Sequence, residues 1–283
     1  MPTPVVTRFA PSPTGLLHPG HAFSALAACQ LARKNGGRFL LRIEDIDFTR
    51  CRPEYEQQLL DDLEWLGLEW EQPIRRQSEH LSDFAQLADD LERRGVLYPC
   101  FCTRKDILNE IARAGAAPHG KEGPIYPGTC RELSRDERLA RISRGDSHAL
   151  RIDLQRAMEL GGPGLMWTDL DRGPQTARPE LLGDAVLVRK DIGTSYHLAV
   201  TLDDALQGIT HVVRGMDLFE STHLHRVIQA LAGFPVPRYL HHELIRDARG
   251  KRLAKRDESV TLKSLRESGK TPSTVRRDLG FDW

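Results

Sequence analysis

Two histidines stand three residues apart near the start of the chain, in the stretch His18-Pro19-Gly20-His21. A loop of Pro, Ser, Thr and Gly residues precedes them, and an almost continuously apolar segment follows. Pro19 suits the first position of a helix, and Gly20 leaves room for a ligand against the backbone. Because a helix N-terminus favours anions, the two imidazoles could donate hydrogen bonds to phosphate oxygens there. The alternative is a capped helix start with incidental histidines.

Three cysteines form a second candidate site. Cys100 and Cys102 are separated by one residue, and Cys130 follows farther along the chain. Structural zinc prefers thiolates and is tetrahedral, so this group supplies three ligands and lacks a fourth. His119 is one candidate for the fourth ligand, because imidazole is a common donor at such sites. Reduced, buried cysteines without a metal are the alternative.

The elements around the histidines predict a parallel α/β sheet. A strand over 5–9, a helix over 22–32 and a strand over 38–43 form a βαβ unit. Helical patterns follow at about 54–66 and 78–94. In such sheets ligands bind at the carboxyl ends of the strands, which is where the two histidines fall.

The pattern changes after Leu97. The next stretch is rich in glycine and proline, contains the three cysteines and has little periodicity, which indicates an insertion with its own small fold. Regular patterns return at 187–189, 196–200 and 209–214, and a helix is predicted over 219–232. The expected organisation is a catalytic domain with a first half over 1–97, an insertion over 98–180, a second half over 181–245, and a loop and short tail over 246–283.

Composition excludes several classes of protein. The 283 residues include 40 Lys and Arg against 40 Asp and Glu, which argues against general nucleic-acid binding by charge alone. No stretch approaches the ~20 apolar residues of a membrane span, and the first residues do not form a signal peptide. Five cysteines do not make a disulfide framework in a chain of this length. We therefore expect a cytoplasmic protein without membrane contact. We also expect a monomer, although composition does not bear on this.

Five stretches, in order, resemble motifs of the class I aminoacyl-tRNA synthetases, and of their glutamyl and glutaminyl branch in particular. The matching stretches are 8–15, 18–21 (the "HIGH" motif), 42–47, 214–218 and 250–256 (the "KMSKS" loop). The similarity covers nearly the whole chain. The resemblance implies a fold with a doubly wound, Rossmann-like parallel sheet. It also implies an activity, the joining of an amino acid to ATP, and two metal ions, Mg²⁺ and Zn²⁺.

The resemblance assigns the ATP site and the catalytic groups. The residues implied to bind ATP are His18, Gly20, His21 and Lys255. The residues implied to be catalytic are His18, His21 and Lys255. Lys255 would supply positive charge to the transition state; taken alone, it is one solvent-exposed cation in a basic run. The loop departs from the family pattern, because Arg252 replaces the first lysine and Ala254 replaces a small hydroxyl residue.

The resemblance also assigns a glutamate site. Its residues are Arg8, Phe9, Ala10, Pro11, Ser12, Glu44, Tyr196 and Arg214. A guanidinium such as that of Arg8 can bind a carboxylate through two hydrogen bonds, and Glu44 can bind the ammonium group. In isolation, Glu44 would be interpreted as a helix cap or a surface ion pair.

For the cysteine group, the resemblance implies a zinc site made by Cys100, Cys102, Tyr126 and Cys130. A phenol is an unusual ligand, and a cation must lower its pKa. A glutamyl-tRNA synthetase continues past its KMSKS-like loop into an anticodon-binding domain. Only residues 257–283 follow that loop here, so we expect no such domain.

A truncated group in this family, the glutamyl-Q tRNA(Asp) synthetases, shares these features. Its members activate glutamate without tRNA and esterify the queuosine base in the anticodon loop of tRNA-Asp. The partners implied are L-glutamate, ATP and the tRNA-Asp anticodon stem-loop that carries queuosine. Two alternatives are a compact glutamyl-tRNA synthetase that charges the 3′ end and a non-catalytic regulator that binds tRNA or an amino acid. The presence of His18, His21 and Lys255 argues against the regulator.

Overall fold

The computed structural model of the protein describes residues 4–113, 119–120, 123–244 and 260–283. Its strands are β1 (Val6–Phe9), β2 (Arg38–Ile43), β3 (Glu71–Arg76), β4 (Leu97–Cys100), β5 (His119–Gly120), β6 (Gly123–Pro124), β7 (Ala149–Ile152), β8 (Met166–Asp169), β9 (Gly173–Thr176), β10 (Val186–Val188), β11 (His211–Gly215) and β12 (Arg238–His242). Its helices are α1 (Pro19–Lys34), α2 (Pro53–Trp65), α3 (Leu81–Arg93), α4 (Arg104–Arg113), α5 (Arg135–Ser143), α6 (Leu154–Gly161), α7 (Tyr196–Leu206), α8 (Ser221–Ala232), α9 (Leu262–Glu267) and α10 (Pro272–Asp278).

The first sheet contains β1, β2 and β3, all parallel, with β2 in the centre. Helix α1 connects β1 to β2, so the predicted βαβ unit is confirmed. The side chains that α1 buries are mostly alanines, which let the helix approach the sheet closely. The strand over 38–43 has the predicted bounds, whereas β3 was not predicted.

The second sheet has the order β11-β12-β8-β9, in which β9 alone is antiparallel to its neighbour. It lies beside the first sheet, because Thr210 donates its N–H to the carbonyl of Val6 at 3.0 Å, just before β11. The expected parallel α/β fold is therefore confirmed. Strand β8 lies within 98–180, the stretch predicted as an insertion, and pairs in parallel with β12 of this sheet.

The third sheet is small and antiparallel, with the order β10-β7-β4. Strand β4 ends at Cys100, so this sheet supports the cysteine group. Strand β10 covers residues after position 180, and the small sheet therefore also crosses the predicted boundary.

The last two helices pack on the first half of the chain. Leu262, Val275 and Phe281 belong to the same buried cluster as Leu26 of α1. Leu262 also donates its N–H to the carbonyl of Leu17 at 2.8 Å, immediately before the two-histidine stretch. The end of the chain is thus anchored beside the start of α1. Among the helices that the structure describes, none has the length and apolar composition that a membrane span requires.

Candidate active site

A cavity of about 530 Å³ lies where β1, β2, β11 and β12 end. Every described residue that was predicted to bind ATP or glutamate lines it. These residues are Arg8, Phe9, Ala10, Pro11, Ser12, His18, Gly20, His21, Glu44, Tyr196 and Arg214. Lys255, Arg252 and Ala254 lie outside the described residues. The parallel strands thus bring together side chains that are far apart in the sequence, as expected for this fold.

The two histidines cap the first turn of α1. Nδ1 of His18 accepts from the N–H of Gly20 at 3.1 Å, and Nδ1 of His21 accepts from the N–H of His18 at 3.2 Å. Their rings are stacked, with centroids 3.7 Å apart. Because both Nδ1 atoms accept, a neutral ring at either position carries its proton on Nε2. In this tautomer, Nε2–H is the side-chain donor of each ring.

Gly20 is required by the position of the His18 ring. A Cβ atom at Gly20 would lie 2.9 Å from Cε1 of His18 and 3.0 Å from its Nδ1. Real Cβ contacts are not this short, so any side chain at this position would push the ring away from the helix N-terminus.

Asp204 on α7 holds two buried arginines. It accepts from Nε and Nη2 of Arg8 at 2.9 and 3.3 Å, and from Nη2 of Arg42 at 2.6 Å. Burial raises the pKa of Asp204, but the two guanidiniums outweigh it and hold the pKa below its usual value. Asp204 therefore remains ionised and fixes the guanidinium of Arg8 at the cavity wall.

Glu44 follows β2 and is buried at the edge of this charged group. Its Oε1 lies 3.8 Å from Nη2 of Arg42, which is beyond a direct hydrogen bond. Burial raises the pKa of Glu44 to about 7, although Arg42 and Arg8 oppose the shift. The N–H of Glu44 donates to the carbonyl of Pro11 at 3.0 Å, which ties the loop after β1 to the end of β2. A cationic ligand would favour the ionised form of Glu44.

Asp203 completes the buried charges. It accepts from Nε of Arg75 at 2.7 Å and from Nε2 of Gln77 at 2.9 Å, and lies 3.9 Å from Nε of Arg42. Arg42, Asp203 and Asp204 were missed in the sequence, because charged residues in a helix or strand are usually solvated. Two adjacent acids near the end of α7, after a largely apolar stretch, were the available signal.

Arg214 presents a second guanidinium to the cavity. Its Nη1 donates to the hydroxyl of Tyr196 at 3.1 Å, and its Nη2 donates to Thr222 and to the carbonyl of Leu218. Its Nε donates to Nε2 of His241 at 3.1 Å. These contacts hold the cation rigidly beside the Tyr196 hydroxyl, which suits recognition of a carboxylate.

Further residues line the cavity without having been predicted. They are Thr14, Ser24, Ile46, Asp47, Arg50, Gln77, Arg189, Ile192, Ser195, Val213, Gly215, Asp217, Leu218, His242 and Leu244. Among them, the Ser24 hydroxyl is 2.7 Å from Nε2 of His242. Burial lowers the pKa of His242. Thr14, Ile46, Asp47, Gly215, Asp217 and Leu218 lie within the family-like stretches 8–15, 42–47 and 214–218 but were assigned no role from the sequence, and the others lie outside those stretches.

The three cysteines meet in a separate group. Their Sγ atoms all lie within 4.8 Å of one another, and no other such group of His, Cys, Asp and Glu ligands occurs in the described part of the chain. The hydroxyl of Tyr126 lies 3.6 Å from Sγ of Cys102. Three thiols and one phenol therefore supply four converging donors, which fits a tetrahedral ion. The side chain of His119 is outside the described residues.

Charge around this group acts on the ionisation of the thiols. The guanidinium of Arg151 stacks over the Tyr126 ring at 3.9 Å, so a positive charge faces a set of potential anions. The hydrogen bond with Cys100 lowers the pKa of Cys130 to about 6, and the same contact raises that of Cys100 to about 12.

Comparison with known proteins decides the family. The model for "tRNA synthetases class I (E and Q), catalytic domain" matches residues 4–280. This chain belongs to that family. The synthetase is 49% identical to "Glutamyl-Q tRNA(Asp) synthetase" of Rhodobacter capsulatus, over 98% of this chain and 100% of the relative. A protein of the same name from Symbiobacterium thermophilum is 43% identical, over 97% of this chain and 85% of the relative.

Longer relatives also match. The synthetase is 37% identical to "Glutamate--tRNA ligase" of Aquifex aeolicus, over 96% of this chain and 55% of the relative. A solved structure of a glutamate tRNA ligase from Elizabethkingia meningosepticum, in complex with its amino acid, superposes with a TM-score of 0.75 at 29% identity. That match covers 90% of this chain and 52% of the other. The chain thus spans about half the length of these proteins, and it is a ligase of the class I aminoacyl-tRNA synthetase type.

Proposed function

We propose that the protein joins L-glutamate to ATP without tRNA, and then transfers the glutamyl group to the queuosine base of tRNA-Asp. The observation that carries this proposal is one cavity that brings together the Glu44 carboxylate, the Arg8 and Arg214 guanidiniums and two stacked imidazoles. Glutamate needs an anion for its ammonium group and a cation for its side-chain carboxylate. The names of the relatives with 41–49% identity support the same substrate and the same tRNA.

In the proposed glutamate site, Glu44 binds the ammonium group. The Tyr196 hydroxyl and the two guanidiniums of Arg8 and Arg214 attract the side-chain carboxylate. The loop over 9–12 forms the adjoining wall of the cavity. Because the carboxylate of Asp204 already offsets the charge of Arg8, whereas the described partners of Arg214 are neutral groups, we assign the closer carboxylate contact to Tyr196 and Arg214.

In the activation step, an oxygen of the α-carboxylate attacks the α-phosphorus of ATP. The new P–O bond forms as the bond to pyrophosphate breaks, and pyrophosphate leaves with the electron pair. Nε2–H groups of His18 and His21 donate to the phosphate oxygens at the N-terminus of α1, where negative charge is favoured. Mg²⁺, when bound, would neutralise phosphate charge.

Lys255 keeps its predicted role as a cation for this step. The described residues on either side of its segment support that role. Leu244 lines the cavity, and the N–H of Leu262 donates a hydrogen bond to the carbonyl of Leu17, the residue before His18.

In the transfer step, a hydroxyl of the acceptor attacks the acyl carbon of glutamyl-adenylate. The hydroxyl proton is lost, AMP leaves, and an ester forms. The queuosine base is the proposed acceptor. Esterification of the tRNA 3′ end is the second candidate, and the 37% identity with Glutamate--tRNA ligase favours it.

The cysteine group is proposed to hold a structural zinc ion through Cys100, Cys102, Tyr126 and Cys130. The ion would crosslink the end of β4 to the segment before α5, and it has no role in the two chemical steps.

Glutamate-dependent exchange of pyrophosphate into ATP, measured without tRNA, tests activation. Transfer is tested with two matched anticodon stem-loops of tRNA-Asp that lack the 3′ end, one with queuosine and one with guanosine at the same position. We expect labelled glutamate on the queuosine stem-loop only. Label that appears only at the 3′ terminus of full-length tRNA would select the second candidate. Binding of glutamate without exchange would select the non-catalytic regulator.

A further inference from the structure

Three side chains on adjacent strands form a buried chain of hydrogen bonds that ends at Arg214. Oδ2 of Asp169 on β8 lies 2.8 Å from Nδ1 of His241 on β12. Nε2 of the same imidazole accepts from Nε of Arg214 on β11 at 3.1 Å. The backbone register explains the alignment, because Arg214 and His241 are directly paired across β11 and β12.

We propose that Asp169 and His241 are positioning residues for glutamate, which act by fixing the guanidinium of Arg214 beside Tyr196. This inference rests on the proposed function, since it assigns the substrate carboxylate to Tyr196 and Arg214.

The positions of the protons follow from the partners. Asp169 is fully buried, and its Oδ1 accepts from the N–H groups of Asp171 and Arg172 at 3.1 and 3.0 Å. Burial raises its pKa, but the bonds from His241 and these N–H groups lower it below the usual value. A carboxylate only accepts, so Nδ1 of His241 carries the proton.

The imidazole is neutral. Burial, and then the charge of Arg214, lowers the pKa of His241 to about 3. Its ring is surrounded by aromatic rings, stacked on Tyr239 and in edge contact with Trp167 and Phe219. A neutral ring with its proton on Nδ1 has a lone pair on Nε2, which is what the N–H of Arg214 requires.

This arrangement restricts Arg214 to one orientation. Nε is held by His241 and Nη2 by Thr222, so Nη1 is directed to the Tyr196 hydroxyl at 3.1 Å. In the other tautomer of His241, two N–H groups would face each other and the guanidinium would have to turn. Asp169 therefore determines, through one proton, where the Arg214 cation stands.

The first test uses two variants at one position. His241→Gln keeps a side-chain oxygen that can accept from Arg214, whereas His241→Leu offers no acceptor. In pyrophosphate exchange, we expect His241→Leu to raise the KM for glutamate at least about tenfold, with the KM for ATP changed less than about twofold. His241→Gln should recover most of the glutamate affinity. Equal losses in both variants, or KM values for glutamate and ATP that rise together, would overturn the inference.

Asp169→Asn tests the proton itself, because the amide keeps the shape of the side chain. Its oxygen can still accept from the N–H groups of Asp171 and Arg172, which leaves NH₂ facing both Nδ1 and the backbone N–H of His241. This forces the wrong tautomer, so the KM for glutamate should rise by about the same factor as in His241→Leu. A normal KM in a folded Asp169→Asn protein would contradict the inference. Thermal midpoints of all variants serve as the control for folding.

The second test does not depend on activity. Two-bond ¹H–¹⁵N spectra of the histidine rings distinguish the tautomers, and the His241 signals are assigned by their loss in His241→Gln. We expect a neutral ring with its proton on Nδ1 that does not titrate between about pH 5 and pH 8. An Nε2–H tautomer, or titration in this range, would overturn the inference. Absence of glutamate exchange in the wild-type protein would instead reject the proposed function, and the spectra would still report on the hydrogen bonds.

Discussion

Nη2 of Arg42 lies 3.8 Å from Glu44 but 2.6 Å from Asp204. The arginine therefore donates its hydrogen bond to Asp204, and Glu44 stays at the edge of the buried charges without a hydrogen bond from Arg42. Burial raises the pKa of Glu44 to about 7. The cavity thus contains a carboxylate whose ionisation a bound ammonium group would complete.

The first prediction concerns the pH dependence of glutamate binding. A carboxylate with a pKa of about 7 is protonated below that pH, and only the ionised form attracts ammonium. The KM for glutamate in pyrophosphate exchange should fall as the pH rises from about 6 to about 8, by up to about tenfold per unit below the pKa. Glu44→Gln should raise the KM and remove this dependence. A KM that does not change with pH in the wild-type protein would reject the role of Glu44.

The same variant tests a stability cost. The pKa of Glu44 is higher in the folded protein than in the unfolded chain, so folding loses stability as the pH rises between the two values. Glu44→Gln should therefore raise the thermal midpoint relative to the wild-type protein at about pH 8 more than at about pH 5. A constant difference between the two proteins would contradict the assigned pKa.

Gly20→Ala should damage the ATP site. The added Cβ would meet the His18 ring at 2.9 Å and separate its Nδ1 from the N–H of Gly20. Loss of a helix cap costs about 0.5–2 kcal/mol, and the displaced imidazole should lower kcat/KM for ATP by at least about tenfold. Gly161→Ala is the matched control, because its Cβ would make an ordinary 3.5 Å contact with Ala230. Equal kinetics for Gly20→Ala and the control would argue against His18 as an ATP ligand.

Metal analysis should find about one zinc ion per chain in the wild-type protein. Cys102→Ser should lose the metal and lower the thermal midpoint, because three donors remain of the four that converge here. Tyr126→Phe should keep the fold, and it should release zinc at a lower concentration of a competing chelator than the wild-type protein does. Cys51→Ser, which changes a cysteine outside the group, is the control and should retain zinc. Unchanged zinc affinity in Tyr126→Phe would point to a different fourth ligand such as His119.

Asp62 on α2 contributes a pH-dependent term to the docking of α9. It is fully buried, with its Oδ1 3.0 Å from Nε2 of Gln58 and 3.6 Å from Nη2 of Arg266 on α9. Burial raises its pKa from the ordinary value of 3.8 to about 6, so stability is lost as the pH rises through this interval and the loss is complete above about pH 6. The thermal midpoint of Asp62→Asn should therefore increase relative to that of the wild-type protein as the pH rises from about 5 to about 7.

Asp61→Asn on the same helix is the control for Asp62. Asp61 accepts a hydrogen bond from Gln57, and its substitution leaves the Asp62 side chain unchanged. Because the charge of Asp61 adds a smaller contribution that raises the pKa of Asp62, this variant should keep the pH dependence of the wild-type protein with its midpoint moved slightly to lower pH. The same dependence in Asp62→Asn would show that another group is responsible.

The first half of the fold could be predicted because its signals are local. The apolar strand of residues 38–43 and the Pro19-Gly20 start of α1 are both visible in the sequence, and the structure has them where they were expected. Strand β3 was missed because it is an edge strand with the sequence EQPIRR, in which charged side chains pair across the surface instead of alternating with apolar ones.

The candidate site was predictable where a motif marks a residue, and not where only tertiary contacts give it a role. Asp204 is an unremarkable helical acid until two strands place Arg8 and Arg42 against it. Asp169 lies in the segment interpreted as an insertion, and only the pairing of β8 with β12 brings it to His241. Such long-range pairings leave no periodic signal in the sequence.

The central claim is that one cavity binds the amino acid and the nucleotide together. A crystal structure with a non-hydrolysable analogue of glutamyl-adenylate tests it most directly. The account predicts the analogue in this cavity, with its ammonium group against Glu44, its side-chain carboxylate beside Tyr196 and Arg214, and its phosphate mimic next to His18 and His21. An analogue bound elsewhere, with Glu44 and the two histidines untouched, would contradict the account.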